Sequence, residues 1–313
     1  MNEKRHHDVI IVGAGAAGVS AGLVLARARA DVLLVDAGQP RNAPAEHMQG
    51  FVSRDGMPPQ EFLAAGRSEA ASYGARFVAA SVTGITRRED TGFRVRLDDG
   101  SFKTSRALLV ATGLVDELPE IPGLAERWGT LVHHCPYCHG YEVRHKKIAV
   151  IGGLQREMSL KQAGLLRRYS DSVTLITNGI ELSRAESHRL SAFGVVVVEG
   201  AVSRLLGEPG ALDAVELVDG SAVECGAAFI APRQAPRDDL LRSIGCEIDP
   251  RTGLVVADGV GQTTVAGVWA AGNVVTPSAQ VITAAGAGSA AAIAIDGWLL
   301  RQDLDAASAA RQQ

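Results

Sequence analysis

A glycine-rich turn near the start of the chain constrains its fold more than any other feature. The apolar run at 9–12 leads into the pattern G-x-G-x-x-G, residues 17–30 predict a helix, and the next apolar run, 31–36, ends on Asp36. The residues of the turn are Gly13, Ala14, Gly15, Ala16, Ala17 and Gly18. Glycines let backbone N–H groups approach a pyrophosphate, and an acid ~20 residues further on suits a ribose hydroxyl. The segment therefore predicts a dinucleotide-binding βαβ unit, with a plain tight turn and a solvated strand-end carboxylate as the alternatives.

A second unit of the same kind begins at residue 148. The apolar run 148–151 leads into Gly152 and Gly153, a helix-compatible stretch continues to Arg168, and 173–176 is the next predicted strand. Both units later contain Asp-Gly-Ser, at 99 and 219, followed by an apolar run at the same interval, which predicts a hairpin and a return strand. We infer an α/β fold with two Rossmann-like three-layer dinucleotide-binding domains, and we place the extra residues of the first in the loop 39–56.

The segment after Pro236 returns to the first unit. Residues 267–273 are typical of an apolar strand ending in a turn, and a long small-residue helix is predicted from about 279 to 300. These elements have no sheet of their own, so we expect the second domain to be inserted within the first. Prolines mark the crossovers. The predicted domains are residues 1–116 with 236–313, and residues 117–235.

Composition and charge limit the function classes. The chain has 313 residues, a net charge of −4 and 4% aromatic residues, which argues against a phosphate-binding basic surface and against base stacking. No stretch approaches ~18 apolar residues without a charge or a glycine, so no membrane span is expected. Four cysteines are too few for a disulfide-stapled secreted domain. We therefore expect a cytoplasmic protein without nucleic-acid or membrane partners.

Two of the cysteines form the pattern C-P-Y-C. Thiols three residues apart at a helix start can close a disulfide, the helix dipole favours the thiolate, and Pro136 suits a first turn. Cys135 and Cys138 are therefore predicted to be a redox dithiol. A zinc site that includes the neighbouring histidines, a haem attachment through C-x-x-C-H and chance occurrence are the alternatives. Cys225 and Cys246 have no motif and are predicted to be buried free thiols.

Three histidines flank this pair. His139 directly follows Cys138, and because the ordinary pKa of histidine lies near ~6.5, it is our candidate acid–base residue. A purely structural role in capping or packing is the alternative. His133 and His134 are further candidates, and no metal site is assigned.

The chain resembles low-molecular-weight thioredoxin reductase over nearly its whole length. The resemblance lies in the glycine turn, the inserted second dinucleotide fold with its C-x-x-C, the A-T-G at 111–113, and residues 267–273, which are similar to a second flavin-binding stretch. C-P-Y-C-H-G-Y-E at 135–142 is similar to the branch that contains gliotoxin- and holomycin-type dithiol oxidases. The segments 41–44, 272–273 and 279–281 also look like this branch.

The resemblance implies bound FAD on the first domain, a flavin-proximal Cys138 and a Cys135 that exchanges with substrate. It implies a homodimer, acting on a small-molecule dithiol or disulfide or on a thioredoxin-like protein. The positions assigned to the cofactor are Gly13, Ala14, Gly15, Ala16, Ala17, Gly18, Asp36, Ala37, Gly38, Arg41, Asn42, Val82, Ala111, Thr112, Gly113, Gly272, Asn273, Ala279, Gln280 and Val281.

The chain also departs from thioredoxin reductase. His139 and Asn273 each stand where that family has an Asp. At the second turn, residues 154–157 are bulky, and 176–178 carry neither the acid that suits NADH nor the paired arginines that suit NADPH. We expect an FAD-dependent thiol–disulfide oxidoreductase of the dithiol-oxidase kind. An NADPH-dependent thioredoxin reductase and a non-catalytic flavin- or nucleotide-sensing regulator are the alternatives.

Overall fold

The computed structural model describes residues 6–88 and 92–311, which form two compact units. One unit comprises residues up to Ala43, Phe51–Val115 and the residues from Pro236 onward; the other comprises Pro44–Gly50 and Asp116–Ala235. The assignment of Pro44–Gly50 to the second unit is a feature that the sequence did not indicate.

The helices and strands follow in chain order. Up to the first crossing between units they are β1 (His6–Val12), α1 (Ala16–Arg27), β2 (Val32–Asp36), α2 (Pro59–Ser72), β3 (Arg76–Ala79), β4 (Val82–Arg87), β5 (Phe93–Leu97), β6 (Phe102–Val110) and β7 (Leu114–Glu117). The insertion contains β8 (Val132–His133), α3 (Pro136–His139), β9 (Ile148–Ile151), α4 (Arg156–Leu166), β10 (Val173–Ile176), α5 (Arg184–Ala192), β11 (Val195–Val198), β12 (Val202–Leu206), β13 (Ala214–Leu217), β14 (Ala222–Glu224), β15 (Ala227–Ile230) and β16 (Arg233–Pro236). The return contains α6 (Asp239–Ser243), β17 (Val268–Ala270) and α7 (Val281–Ala310). Short 3-10 helices lie at Ala125–Arg127 and Gly272–Val274.

The first unit is built on a mixed sheet with the strand order β3-β2-β1-β6-β5-β4, and β17 also pairs with β6. The strands β3, β2, β1, β6 and β17 are parallel, and β4 and β5 form an antiparallel extension. Alternate residues of β1 serve two cores: Val9 and Ile11 pack with α1 and α7, whereas Ile10 and Val12 pack on the opposite face. Burial on both faces explains why these strands are continuous apolar runs.

The second unit contains a parallel five-stranded sheet in the order β11-β10-β9-β15-β8 and a separate antiparallel sheet of β12, β13 and β14. Both predicted Asp-Gly-Ser turns are present, and each Asp accepts from the Ser N–H, at 2.8 Å for Ser101 and 2.9 Å for Ser221. The strand after the first turn runs unbroken into the sheet as β6, whereas its counterpart is split into β14 and β15. The predicted fold class, α/β with two Rossmann-like units, is confirmed.

The last helix, α7, extends ten residues beyond its predicted end. By length and composition it could cross a membrane, which was not expected from the sequence. Its inner face, with Ala284, Ala291 and Ile295, is buried in the core that includes α1. Only 28% of the apolar window is buried, so the finding rests on length and composition alone.

Candidate functional site

The first glycine turn is shaped by the close approach of backbone to backbone. Gly13 has φ +97°, and an added Cβ would lie 2.5 Å from the carbonyl oxygen of Ala111; a Cβ on Gly18 would lie 1.9 Å from that of Gly13. A Cβ on Gly15, in contrast, would meet no described atom within 4 Å. Gly15 is the residue directly before α1, and no described side chain caps that end of the helix. The first N–H groups of α1 are therefore free to bind an anion beside open space.

Asp36 joins the turn to α2. Its Oδ1 accepts from the N–H of Ala14 at 2.9 Å, and its Oδ2 is paired with Arg67. The carboxylate therefore lies at the turn, and its contact with a ribose hydroxyl stays a prediction. Arg67 was missed, because an arginine in an amphipathic helix gives no signal of a partner 31 residues earlier in the chain.

The segments 111–113 and 272–281 are held by hydrogen bonds within the first unit. The hydroxyl of Thr112 donates to the carbonyl of Arg237 at 2.6 Å, and the N–H of Arg237 donates to Gly113 at 3.0 Å. The Asn273 amide donates to three carbonyls of residues 276–279, at 3.0 to 3.2 Å. Asn273 thus shapes the turn before α7, for which an Asp, having no donor, could not serve.

The other predicted cofactor positions are spread around these segments. Ala37 and Gly38 are exposed just after β2, and Asn42 is half-buried. Arg41 donates to Pro277 at 3.4 Å, which connects the loop after β2 with the turn before α7. Val82 begins β4 and packs on the core face that includes Ile10. The remaining positions lie at the start of α7: Ala279, Gln280 and Val281.

The predicted dithiol lies on a single helical turn of the second unit. Cys135 precedes α3, Pro136 is its first residue, and Cys135 and Cys138 are joined as a disulfide. The N–H groups of Cys138 and His139 both donate to the Cys135 carbonyl at 3.1 Å. The backbone therefore fixes both sulfurs on one short turn, with His139 immediately beyond Cys138.

Two of the flanking histidines are stacked. The rings of His133 and His139 lie 4.2 Å apart with an interplanar angle of 14°, and no described group bonds to the buried Nδ1 of either ring. Burial, with smaller effects of His139, His134 and Lys146, lowers the pKa of His133 to about 3. Burial also lowers the pKa of His139, against an opposing effect of Glu142. Both rings are therefore neutral near pH 7.

His134 has a different setting. Its ring stacks on Trp128 at a centroid distance of 6.0 Å, and its carbonyl accepts from Gln162 at 2.6 Å. The structure thus separates three histidines that the sequence could not rank: His133 and His139 form a pair, and His134 packs on a tryptophan.

At the second glycine turn, polar side chains form ion pairs and hydrogen bonds with other residues of the same unit. Arg156, the first residue of α4, reaches both carboxylate oxygens of Glu186 at 2.7 Å and one of Glu157 at 2.5 Å. The hydrogen bond from Arg156 and, to a smaller extent, those from Ser183 lower the pKa of Glu186 to about 2. Leu154 beside them is 93% exposed.

Asn178 follows the strand β10, where the first unit has Asp36. Its amide donates to the Gly152 carbonyl at 2.9 Å, and its oxygen accepts from the N–H of Val202 at 2.9 Å. Both ends of this side chain are therefore used to hold the turn to its neighbours.

The remaining cysteine and metal alternatives are also tested. Cys225 and Cys246 are buried free thiols, as predicted, and burial raises the pKa of Cys225 to about 12. Within residues 6–88 and 92–311, no three His, Cys, Asp or Glu side chains are grouped to hold a metal ion. The zinc alternative therefore has no assembled ligand set in the described part of the chain.

Together, a dinucleotide turn and a C-x-x-C disulfide on an inserted Rossmann unit define a disulfide oxidoreductase. Residues 7–289 match the family described as pyridine nucleotide-disulphide oxidoreductase, and the chain belongs to that family. Membership implies a flavin and a pyridine nucleotide among the redox partners of the family.

Individual relatives support a narrower placement. The chain is 34% identical over 283 residues to the thioredoxin reductase tcpT of Claviceps purpurea, covering 85% of this chain and 86% of the relative. The crystal structure of HlmI superposes with a TM-score of 0.95 at 47% identity, covering 100% and 99% of the two chains. An oxidoreductase from Agrobacterium tumefaciens gives 0.88 at 37% identity, covering 95% and 99%. The resemblance stated from the sequence is confirmed: this is a thioredoxin-reductase-like enzyme that acts on sulfur groups.

Proposed function

We propose that the chain is an FAD-dependent dithiol oxidase, which converts a small-molecule dithiol to its disulfide through Cys135 and Cys138. The observation that carries the proposal is the contrast between the two glycine turns. Both α1 and α4 begin without a side-chain cap, and both Gly15 and Gly153 face open space. The turns differ because α1 has no acidic residue in its first turn whereas α4 has Glu157, and because Asn178 stands where the first unit has the carboxylate of Asp36. We also propose a cytoplasmic location, which suits two free buried thiols.

The first turn fits the dinucleotide part of FAD. Residues 13–18 would take the pyrophosphate on the free N–H groups of α1, where the helix dipole favours negative charge. Each carboxylate oxygen of Asp36 has a second lone pair beyond its present contact, so it can still accept from a ribose hydroxyl.

The second turn fits NAD(P)H poorly. A pyrophosphate at the start of α4 would meet Glu157 in the first turn of the helix, and the charge of Arg156 is already balanced by Glu186. Asn178 has no carboxylate for a ribose, and its amide is used at both ends. These contacts favour a dithiol over a nicotinamide as the electron source.

The reaction begins with thiol–disulfide exchange. A substrate thiolate attacks the sulfur of Cys135, the Cys135–Cys138 bond breaks, and Cys138 leaves as a thiolate. The second substrate sulfur attacks the mixed disulfide, so that the substrate leaves with one new S–S bond and Cys135 keeps a thiol. FAD supplies, when bound, the two-electron acceptor through which dioxygen is reduced to hydrogen peroxide and the protein disulfide is restored.

His139 is the proton acceptor in this scheme. Its ring is neutral near pH 7 because burial lowers its pKa, and it lies one residue beyond the leaving Cys138. A neutral imidazole takes the proton of the substrate thiol, and the resulting cation stabilises the Cys138 thiolate.

An anaerobic titration of the purified flavoprotein tests the proposal. The flavin absorbance band is followed during additions of NADPH, then NADH, then dithiothreitol. We expect bleaching by the dithiol only, with recovery of colour and one hydrogen peroxide per dithiol on admission of air. Stoichiometric bleaching by NADPH would instead support the thioredoxin reductase alternative.

Cysteine variants separate the enzyme from a sensor. Cys135→Ser and Cys138→Ser are expected to keep the yellow colour and lose dithiol turnover, while Cys246→Ser, at a buried thiol outside the pair, keeps full activity. A wild-type protein that retains flavin but turns over neither dithiols nor disulfides would support the regulator alternative.

A further inference from the structure

We propose that His133 is a positioning residue, whose buried ring fixes the plane of the ring of His139, the residue after Cys138, and excludes water from its inner face. This role rests on the proposed function, in which His139 accepts the proton of the substrate thiol. The sequence alone left His133 as one of three flanking histidines.

The backbone places His133 under the dithiol turn. It is the last residue of β8, it pairs in register with Phe229 of β15, and it is 4% exposed. Its ring also lies 5.4 Å from the Phe229 ring, on which it is tilted by 49°. The His133 ring thus contacts both the core aromatic Phe229 and the ring of His139, and it covers one face of the His139 ring.

The stack opposes charge on both rings. Two imidazolium ions with centroids 4.2 Å apart would repel strongly in a buried setting, and neither buried Nδ1 has an acceptor among the described residues. The groups that act on the pair are His134 and Lys146, which disfavour charge on His133, and Glu142, which favours charge on His139. A neutral His133 therefore leaves His139 as the ring that gains and releases the proton.

The chemical consequence concerns one of two protons. In the exchange, the substrate dithiol loses two S–H bonds and forms one S–S bond, and the electron pair goes to the protein sulfurs as their bond breaks. One proton ends on Cys135 and the other on His139, beside the Cys138 thiolate. Because the His133 ring disfavours a positive charge on His139, His139 gives up this proton readily when the disulfide is restored.

The test compares two substitutions of His133. His133→Phe keeps a flat buried ring without nitrogen, and His133→Ala removes the ring and admits water. The readout is the anaerobic single-turnover rate of flavin bleaching by dithiothreitol from pH 5 to 8, as a ratio to wild type so that the ionisation of the probe cancels.

We expect the acid limb of His133→Phe to match wild type and that of His133→Ala to move up toward ~6.5, the ordinary value for histidine. Well below the midpoint, the rate falls about tenfold for every pH unit by which the limb moves up. In a His139→Ala background the two His133 variants should have the same pH profile, since the ring at position 133 acts through His139.

Two results would overturn the inference. One is an unchanged acid limb in His133→Ala, which would show that the His133 ring only fills space in the core. The other is a His133→Phe profile displaced like that of His133→Ala, which would require a nitrogen at this position. If His133→Ala does not fold, His133→Leu takes its place with the same two outcomes. Failure of the proposed function is distinct because it is seen in the wild-type protein alone, as stoichiometric bleaching by NADPH or as no bleaching by dithiothreitol at any pH.

Discussion

At the scale of single residues, the buried His133 makes folding stability depend on pH. Its pKa is about 3 in the folded chain and ~6.5 when unfolded, so the unfolded chain binds the proton more readily between these values. The stability contributed by keeping this ring neutral is fully present above pH 6.5 and is lost as the pH falls toward 3. The limiting slope is ~1.4 kcal/mol per pH unit for one proton.

Urea unfolding of the flavoprotein at pH 7.5 and pH 5 measures this effect. Wild type is expected to lose up to ~2 kcal/mol more between the two values than His133→Phe, which has no proton to gain. His188→Phe, at an exposed histidine of α5, should behave like wild type. Equal losses in wild type and His133→Phe would contradict the assignment of a depressed pKa.

Arg67 is the residue whose role can be measured through cofactor retention. Without its guanidinium, Asp36 loses one of its two contacts and is held at the glycine turn only by Ala14. Arg67→Met is expected to weaken FAD binding by up to about fivefold, since exposed ion pairs contribute ~1 kcal/mol or less and this one is partly exposed.

Flavin release during dilution or ultrafiltration gives the dissociation constant directly. Arg67 lies over the Phe77 ring, and Arg27 lies over the Tyr73 ring at the far end of α1. Arg27→Met is therefore the matched control. Equal flavin affinity in Arg67→Met and Arg27→Met would show that Asp36 needs no support from α2.

At the scale of elements, α7 and α1 pack closely enough to couple the last helix to the glycine turn. A Cβ on Gly288 would lie 2.0 Å from the carbonyl oxygen of Ala17, a backbone atom that cannot rotate away. A Cβ on Gly286, two residues earlier in the same helix, would meet no described atom within 4 Å. Gly288→Ala is therefore expected to destabilise the first unit by ~1–3 kcal/mol and to loosen FAD, whereas Gly286→Ala should gain up to ~1 kcal/mol.

Thermal unfolding and flavin content of the two variants decide the matter. Both add one methyl to one helix, so helix propensity cancels in the comparison. A Gly288→Ala protein as stable and as yellow as Gly286→Ala would mean that α7 can shift away from α1 without disturbing the turn.

Local patterns predicted the strands well and the contacts between side chains poorly. The strand 148–151 has the same bounds in sequence and structure, because a buried parallel strand is apolar at every position. The dithiol turn was also predictable, since spacing and Pro136 fix it locally. Arg67 and the two-ended hold of Asn178 were not, because they join residues 24 or more positions apart that no local period connects.

At the scale of the whole molecule, the same dinucleotide-binding fold occurs twice, and the polar residue after its second strand differs between the two copies. Asp36 keeps a carboxylate at the end of β2, and Asn178 replaces it with an amide that bonds to Gly152 and Val202. The second unit therefore has the same scaffold, but the amide of Asn178 is used in hydrogen bonds within the protein. Its remaining role in the proposed reaction is to present the Cys135–Cys138 turn.

An exposed apolar stripe on α7 makes a prediction about assembly. Ile293, Leu300 and Leu304 are each more than half exposed, and their spacing of seven and four residues puts them on one helix face. Such stripes on a folded surface are typical of protein contacts. With the homodimer that the resemblance implies, we expect a solution mass of twice 32.7 kDa.

Light scattering after size-exclusion chromatography at micromolar concentration measures that mass. The double variant Ile293→Glu/Leu300→Glu is expected to be monomeric, because each buried and unpaired carboxylate would oppose the contact. Val218→Glu is the control, since Val218 is as exposed as the stripe but lies in the second unit. A monomeric wild type would contradict the predicted dimer. A dimeric double variant would show that the dimer contact lies on a surface other than this face of α7.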